Sequence, residues 1–249
     1  MLTKHSQPEF MKRLQIPPVG ISGLILSVLI LASSSSQAAS LTVQNFSFED
    51  PVLSDGANQP NPPGWTLNNV GNEYNPTASQ FATAAGNGTP TGADGIQVAS
   101  SNGGQGTALL QALAGDDGIL GNGDDPLFVP NTTYTLTVAV GQRLDLPFTG
   151  YALELVLLDG TVIATEVSAI TPAPGTFVDR TISVDSNTVA PIHYGQQIRI
   201  NLTTAGFYEA NFDNARVSAV TVPEPSTLVL LGLAIPALAW RIRRRRGIR

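Results

Sequence analysis

The stretch YALELVLLDGTVIATEV, residues 151–167, determines the predicted fold. Apolar residues occupy every second position from Tyr151 to Leu157, and Glu154 lies on the opposite face of the same extended segment. Asp159-Gly160 is a typical two-residue turn, and residues 161–168 continue as a second short segment suited to a strand. The stretch therefore predicts an antiparallel β-hairpin with one apolar face.

Similar short apolar segments recur along the chain between clusters of Gly, Pro, Asn and Asp, whereas helical periodicity is almost absent. Further predicted strands cover residues 41–48, 64–70, 95–99, 106–113, 134–140, 177–184, 198–202 and 212–220. Residues 71–94 and 115–131 are rich in turn-forming residues and predict two long irregular loops, the first at the surface or partly disordered. The pattern predicts an all-β fold, an antiparallel β-sandwich.

The charge distribution separates the ends of the chain from its middle. The whole chain has a formal net charge of −6, but residues 41–221 hold four Arg, no Lys and 17 acidic residues, a formal charge of −13. We expect no binding to nucleic acid, because phosphate recognition needs Lys and Arg. The acidic domain is compatible with divalent cations or neutral glycans. The chain has no Cys, which excludes disulfides and thiol chemistry.

The N-terminal residues form a predicted export signal. Lys12 and Arg13 precede an apolar run at residues 21–32, and small residues follow at 33–40. This order is typical of a secretory signal peptide. Ser36 and Ala38 fit the positions that signal peptidase requires, so we predict cleavage after Ala38 and an exported domain at residues 39–221. Met11 is an alternative start of translation.

The C-terminal residues 222–249 read VPEPSTLVLLGLAIPALAWRIRRRRGIR. The triplet Pro223, Glu224, Pro225 precedes an uncharged apolar run of 14 residues at 227–240. As a helix this run is about 21 Å long, shorter than the ~30 Å hydrocarbon core of a bilayer. A basic cluster follows, consisting of Arg241, Arg243, Arg244, Arg245 and Arg246. The order predicts a short transmembrane helix with its C-terminus in the cytoplasm.

This tail resembles the PEP-CTERM sorting tail of Gram-negative bacteria in its triplet, its apolar span and its basic cluster. The resemblance implies export across the inner membrane, transient anchoring there and recognition by a membrane-embedded exosortase. It predicts exosortase and signal peptidase as partners, and a final location at the cell surface or outside the cell. An ordinary C-terminal membrane anchor is the alternative.

Residues 41–220 resemble the galactose-binding-like jelly rolls that serve as carbohydrate-binding modules. The matching segments are residues 45–50 (NFSFED), 64–65 (GW), 134–138 (YTLTV) and 212–217 (FDNARV). The resemblance implies a structural Ca²⁺ that joins the first and last strands through Glu49 and Asp213. Independently, a period of two places Asp213 on the face of Ala215 and Val217, where an ionised carboxylate is costly unless it is paired or bound to metal. A solvated or paired Asp213 at the strand end is the alternative.

An acidic loop gives a second candidate cation site. Its oxygen ligands, of the kind that Ca²⁺ prefers, are Asp116, Asp117, Asn122, Asp124 and Asp125. The spacing matches no EF-hand, because Gly118 and Leu120 occupy ligand positions. A solvated turn rich in Asp and Gly is the favoured interpretation of this loop.

Few side chains indicate a ligand surface or a catalytic site. Trp65 is predicted to lie in the core, whereas Tyr74 and Tyr208 are candidates for stacking on sugar rings. His193 is the single His of the domain, and no nucleophile motif accompanies it. We therefore predict a non-catalytic protein, without catalytic residues, that binds a glycan or associates with exopolysaccharide. The alternatives are a structural biofilm or envelope protein without a specific ligand and, more distantly, a hydrolase.

Overall fold

The computed structural model describes residues 38–102, 107–115, 117–168 and 170–222. The predicted signal peptide up to residue 37, the Pro-Glu-Pro triplet, the predicted transmembrane helix and the arginine cluster lie outside these residues. Among the described residues, no helix has the length and apolarity needed to cross a membrane. The strands are β1 (Ala38–Leu41), β2 (Asn58–Gln59), β3 (Thr66–Asn68), β4 (Val70–Tyr74), β5 (Val98–Asn102), β6 (Ala108–Ala112), β7 (Thr132–Gln142), β8 (Tyr151–Leu157), β9 (Val162–Val167), β10 (Thr176–Asp185), β11 (Ile198–Thr204) and β12 (Ala210–Thr221).

The strands form two antiparallel sheets, which confirms the predicted all-β sandwich. The seven-stranded sheet has the order β10-β7-β12-β5-β4-β2, and β1 also pairs with β12. The five-stranded sheet has the order β3-β6-β11-β8-β9. The predicted hairpin joins β8 to β9: the amide of Leu157 donates to the carbonyl of Thr161 at 2.9 Å, and Gly160 supplies a φ of +89° in the turn.

The main core lies between the two sheets and follows the period of two in the sequence. Tyr151, Leu153, Leu155 and Leu157 of β8 are fully buried in it, as the alternation predicts. Trp65 is also buried and packs against Phe48, with ring centroids 5.2 Å apart. Burying each large apolar side chain contributes roughly 1.5–3 kcal/mol, so this alternation is the main source of fold stability.

A smaller core covers the outer face of the seven-stranded sheet, the face opposite the five-stranded sheet. It contains Tyr74, Phe81, Ala84, Val98, Ala139 and Phe177. The rings of Phe81 and Phe177 stack with centroids 5.0 Å apart. The prediction of one surface loop at residues 71–94 is therefore wrong in two respects. Its first residues belong to β4, and its middle is held on the sheet by the fully buried Phe81.

Two strand predictions fail where the backbone turns. The strand predicted at 41–48 ends at Leu41, because Asn45 and Phe48 have φ values of +45° and +55° and the chain turns at 44–47. In β12 the register shifts between Asp213 and Arg216. Asp213 pairs with Ala139 of the outer core, whereas Ala215 lies in the main core. The prediction that Asp213 shares the inner face with Ala215 is therefore wrong.

Strand β12 connects two ends of the sandwich. Its 12 residues span about 36 Å. At one end it follows Glu209, near the loops at 142–150 and 205–209; we call this the Glu209 end. At the other it leads into Val222, whose amide donates to the carbonyl of Asn131 at 2.7 Å. We call this the Val222 end.

Candidate functional site

Polar side chains surround a cavity of about 180 Å³ on the outer face of the seven-stranded sheet, towards the Glu209 end. We call it the Tyr74 pocket. Its lining consists of Gly56, Asn58, Asn72, Tyr74, Gln80, Asn102, Arg143 and Glu209. Apart from the ring of Tyr74, every lining group is a glycine, an amide or an ionisable side chain, so the pocket is suited to a polar ligand.

Strand alternation places the pocket residues. Asn72 and Tyr74 project from β4 to the outer face, while Glu73 between them projects inward. Asn72 is in register with Ser100 of β5, which is in register with Asn211 of β12. The hydroxyl of Ser100 donates to Asn72 Oδ1 at 2.5 Å. The three strands thus present a continuous polar row beside the pocket.

Tyr74 is the central donor of the pocket. Its ring is buried in the outer core, and its hydroxyl donates to Asn211 Oδ1 at 2.5 Å and lies 3.4 Å from Glu209 Oε1. Burial raises the pKa of Tyr74 well above its usual value, and the negative charge of Glu209 adds to the rise. The phenol therefore stays protonated and acts as a hydrogen-bond donor.

An arginine fixes the acidic wall of the pocket. Arg143 Nη1 lies 2.9 Å from Glu209 Oε1, and Arg143 Nε and Nη2 bind the two oxygens of Asp145 at 2.7 and 2.5 Å. The Arg143 bond lowers the pKa of Asp145. This bidentate pair orients the guanidinium, and the guanidinium in turn holds the Glu209 carboxylate in the pocket.

Glu73 is a buried acid with an unsatisfied oxygen. Its Oε2 accepts a bond from Asn45 Nδ2 at 3.0 Å, but its Oε1 has no partner among the described residues. Burial raises the pKa of Glu73 to about 7, and the bond from Asn45 only partly opposes this. Glu73 is therefore substantially protonated near neutral pH. It faces the main core, because its pairing partner Ala99 lies there.

The two residues of the predicted calcium site, Glu49 and Asp213, hold one short segment from both sides. Glu49 Oε1 accepts from the amides of Ile96 and Gln97, each at 2.7 Å, and Asp213 Oδ2 accepts from the amide of Asp94 at 2.5 Å. Gly95 lies between these contacts, where a Cβ would come within 2.2 Å of Glu49 Oε1. The segment 94–97 therefore passes tightly between the two carboxylates.

These carboxylates are unfavourable in their charged form. Burial raises the pKa of Asp213 well above its usual value, bonds from the amides of Asp94 and Asn214 oppose this, and the charges of Asp94 and Glu49 raise it further. Burial also raises the pKa of Glu49. Among the described residues, no three His, Cys, Asp or Glu side chains form a group that could hold a metal ion.

The acidic loop is organised by its own turns. Asp117 accepts from the amide of Ile119 at 2.8 Å and from Asn122 Nδ2 at 2.8 Å. Asp125 accepts from the amide of Gly121 at 2.7 Å and from Gln197 Nε2 at 3.1 Å. The amide of Asp124 donates to Asn122 Oδ1, and Asp116 lies outside the described residues. These contacts are those of a turn rich in Asp and Gly.

The predicted stacking residues are not brought together. Tyr74 lines the pocket with a buried ring, whereas Tyr208 is partly exposed in the loop before β12 and does not line it. His193 pairs with Asp159 at 3.1 Å, far along the sandwich at the Val222 end. Sequence reasoning missed Arg143, Glu209, Asn72 and Asn211 as site residues. One signal was available, since Arg143 is one of only four basic residues in the acidic domain.

The fold and the pocket define a β-sandwich with a polar site on one outer face, and comparison with known proteins identifies its family. The sequence profile of the HpiC1-like family, described as HpiC1 cyclase, matches residues 39–218. The chain therefore belongs to the HpiC1-like family. No curated protein matches it.

Solved cyclase structures share the fold. A Stig cyclase, FisC from Fischerella sp. TAU, in complex with (3Z)-3-(1-methyl-2-pyrrolidinylidene)-3H-indole is 23% identical, covers 75% of this chain and 100% of its own, and has a TM-score of 0.60. The apo form of a cyclase from Fischerella sp. is 22% identical, covers 75% of this chain and 98% of its own, and has a TM-score of 0.59. The prediction of a non-enzyme is therefore wrong, because the family to which the chain belongs is a cyclase family.

A second profile, the PEP-CTERM protein-sorting motif, matches residues 221–246. The predicted sorting tail is thereby confirmed. It marks the chain for export, membrane-associated processing and recognition by exosortase.

Glu73 predicts a specific pH dependence of stability. Its pKa is about 7 in the folded chain, against an ordinary value of 4.5, so between these values the folded state binds more protons than the unfolded state. Stability is therefore lost as pH rises from about 4.5 through 7. In Glu73→Gln this loss is absent. Between pH 5 and pH 8, the free energy of unfolding of the variant should therefore rise by about 2 kcal/mol relative to that of the native domain.

Urea unfolding of residues 39–221 in chelator at several pH values measures this effect. Glu154→Gln is the matched control, because Glu154 is partly exposed and bonds to Asn201 Nδ2 at 2.6 Å. If the free energies of unfolding of Glu73→Gln and the native domain differed by the same amount from pH 5 to pH 8, the raised pKa of Glu73 would be refuted.

Proposed function

We propose that this chain is an exported enzyme that binds a small, hydroxyl-rich molecule in the Tyr74 pocket and catalyses a ring-forming isomerisation of it. The observation that carries the proposal is the polar lining of the pocket, held by the Arg143–Glu209 pair. Membership of the cyclase family supports the reaction class. The lining supports the substrate class, since amides and hydroxyls bind hydroxyl groups better than they bind an apolar ring.

The pocket groups have complementary chemical roles in this proposal. The Tyr74 hydroxyl, whose proton is donated to Asn211, accepts a hydrogen bond from a substrate hydroxyl. Glu209 removes a proton from the substrate as the general base and returns it before the isomerised product leaves. Arg143 fixes the position of the Glu209 carboxylate. Asn72 and Asn102 each present a donor and an acceptor at the pocket wall, which orients hydroxyl groups.

A carbohydrate or a related polyol would fit this pocket chemistry. Such a substrate would also suit an exported protein that is associated with exopolysaccharide. The Fischerella cyclase binds an indole derivative. The lining of the Tyr74 pocket offers little apolar surface to such a ring, which favours a more polar substrate for this chain. After processing by exosortase, the domain would act at the cell surface or outside the cell.

A structural Ca²⁺ at Glu49 and Asp213 remains part of the proposal. A divalent cation would stabilise the buried Asp213 and the partly buried Glu49, whose negative charges repel each other, and carboxylate oxygens are ligands that Ca²⁺ prefers. The cation would neutralise both groups and hold β12 to segment 94–97. Backbone carbonyls and water would complete its coordination.

Ligand binding and turnover test the pocket. We expect Glu209→Gln and Tyr74→Phe to weaken binding of a hydroxyl-rich ligand by tenfold or more, which corresponds to about 1.4 kcal/mol. The measurement is calorimetric titration with a panel of sugars and polyols, including an indole as the apolar probe. Product is detected chromatographically, because a ring-forming isomerisation changes retention without changing mass.

The matched control is Glu166→Gln, which breaks a similar ion pair with Arg180 (2.8 Å) outside the pocket. It should leave binding unchanged. Preferential binding of the indole, or sugar binding that is indifferent to both pocket variants, would contradict the proposal.

Calcium binding is tested by thermal unfolding. We expect Ca²⁺ to raise the Tm of the native domain by several degrees over EDTA, because binding to the folded state alone stabilises it. Asp213→Asn should abolish this increase, because it removes one of the two carboxylates that would hold the cation. Asp179→Asn, at an exposed pair with Arg216, is the control. Identical melting curves with Ca²⁺ and with EDTA would exclude the site.

Processing of the tail is tested on mature protein isolated from the producing cells. Cleavage near the Pro-Glu-Pro triplet should remove every peptide between Leu228 and Arg249, and mass spectrometry should find a C-terminus close to Pro225. Peptides from 228–249 in the mature protein would show that the tail is retained.

A further inference from the structure

The Val222 end of the sandwich displays a group of exposed apolar side chains. We call it the apolar rim; it consists of Leu127, Val129, Leu158, Ile192 and Val222. Backbone contacts hold these residues at one end. Leu127 pairs with Gln197, and Gln197 accepts from the amide of Leu158 at 3.1 Å. Val222 bonds to Asn131, two residues after Val129.

Exposure of the apolar rim to water is energetically unfavourable. Ile192 is 84% exposed in the short turn Pro191–His193, and the other members are 41–51% exposed. Covering a large aliphatic side chain is worth roughly 1.5–3 kcal/mol. Single exposed apolar residues are ordinary, but five at one end of an acidic domain form a surface that favours an apolar partner.

The position of the rim identifies that partner. The sorting motif occupies residues 221–246, and the uncharged apolar run begins at residue 227. Only residues 222–226 separate the last strand from that run, and five residues reach at most about 17 Å. During membrane-associated processing, the Val222 end is therefore held within that distance of the lipid surface.

We propose that the apolar rim rests on the lipid surface while the sorting tail is in the membrane. This contact orients the sandwich so that β12 runs from the Glu209 end towards the bilayer. The Glu209 end and the Tyr74 pocket then lie about 36 Å further out, along the length of β12. The pocket is accessible to solutes before the tail is processed.

The charges beside the rim specify the lipid. Asp117, Asp125 and Asp159 belong to the loops that carry it, and the nearby His193 is paired with Asp159. Carboxylates are repelled by anionic headgroups. The rim therefore fits a zwitterionic lipid surface better than an anionic one. The inference concerns orientation and does not depend on the proposed reaction.

The chain has no Cys, so a single introduced Cys reports one position. We would label Ile192→Cys in the full chain and compare it with Phe207→Cys, which is equally exposed, at 84%, but lies at the Glu209 end. Both labelled proteins are reconstituted into phosphatidylcholine vesicles that contain a nitroxide-labelled lipid. Fluorescence quenching by the nitroxide is measured only on protein that floats with the vesicles in a density gradient. We expect at least threefold stronger quenching of the label at 192 than at 207.

Two further arms complete the test. With Leu127→Cys as the labelled site, the added substitution Ile192→Ser should reduce quenching at least twofold, and adding phosphatidylglycerol should reduce it as well. Equal quenching at 192 and 207, or no quenching at 192 in vesicle-bound protein, would overturn the proposal. Stronger quenching in anionic vesicles would overturn the assignment of a zwitterionic surface.

Discussion

The pairing of β12 with β7, β5 and β1 is the constraint on which the rest of the structure depends. The strand runs from the Glu209 end to the Val222 end and supplies Val217 to the main core and Asn211 to the polar row beside the pocket. It ends where the sorting motif begins. The register shift after Asp213 lets one strand serve both faces. Without that shift, Asp213 would enter the main core, away from the amide of Asp94 that donates a hydrogen bond to it.

The fold was predictable wherever apolar and polar residues alternate strictly along a strand. The patterns of β7, β8 and β11 and the Asp159-Gly160 turn were sufficient to place the main core and the hairpin at the edge of the five-stranded sheet. Residues 71–94 were not predictable in this way. The segment has few apolar residues, and the reason that it is ordered is the stacking of Phe81 on Phe177, about a hundred residues away. The same holds for the bulge in β12, since local periodicity carries no information about register.

The candidate site was harder to predict than the fold, because its residues come from six separate places in the chain. Tyr74 was identified for its aromatic ring, but the structure uses its hydroxyl, and the ring is part of the outer core. Arg143 and Glu209 are 66 residues apart and gain significance only as a pair. The conclusion that the chain is not an enzyme failed for the same reason. Its acids and amides form no sequence motif, and the membership of a cyclase family came from the family comparison alone.

The loop that carries Phe81 has an evolutionary consequence. Gln80 lines the Tyr74 pocket, and its carbonyl accepts from the amide of Leu144 at 2.8 Å, while the next residue, Phe81, anchors the loop in the outer core. The residue that lines the pocket and the residue that secures the loop are therefore consecutive. Exchanges at position 80, or insertions elsewhere in the loop, can alter the pocket lining while the anchor persists. A lineage with this architecture can vary the chemistry of its pocket without redesigning the sandwich.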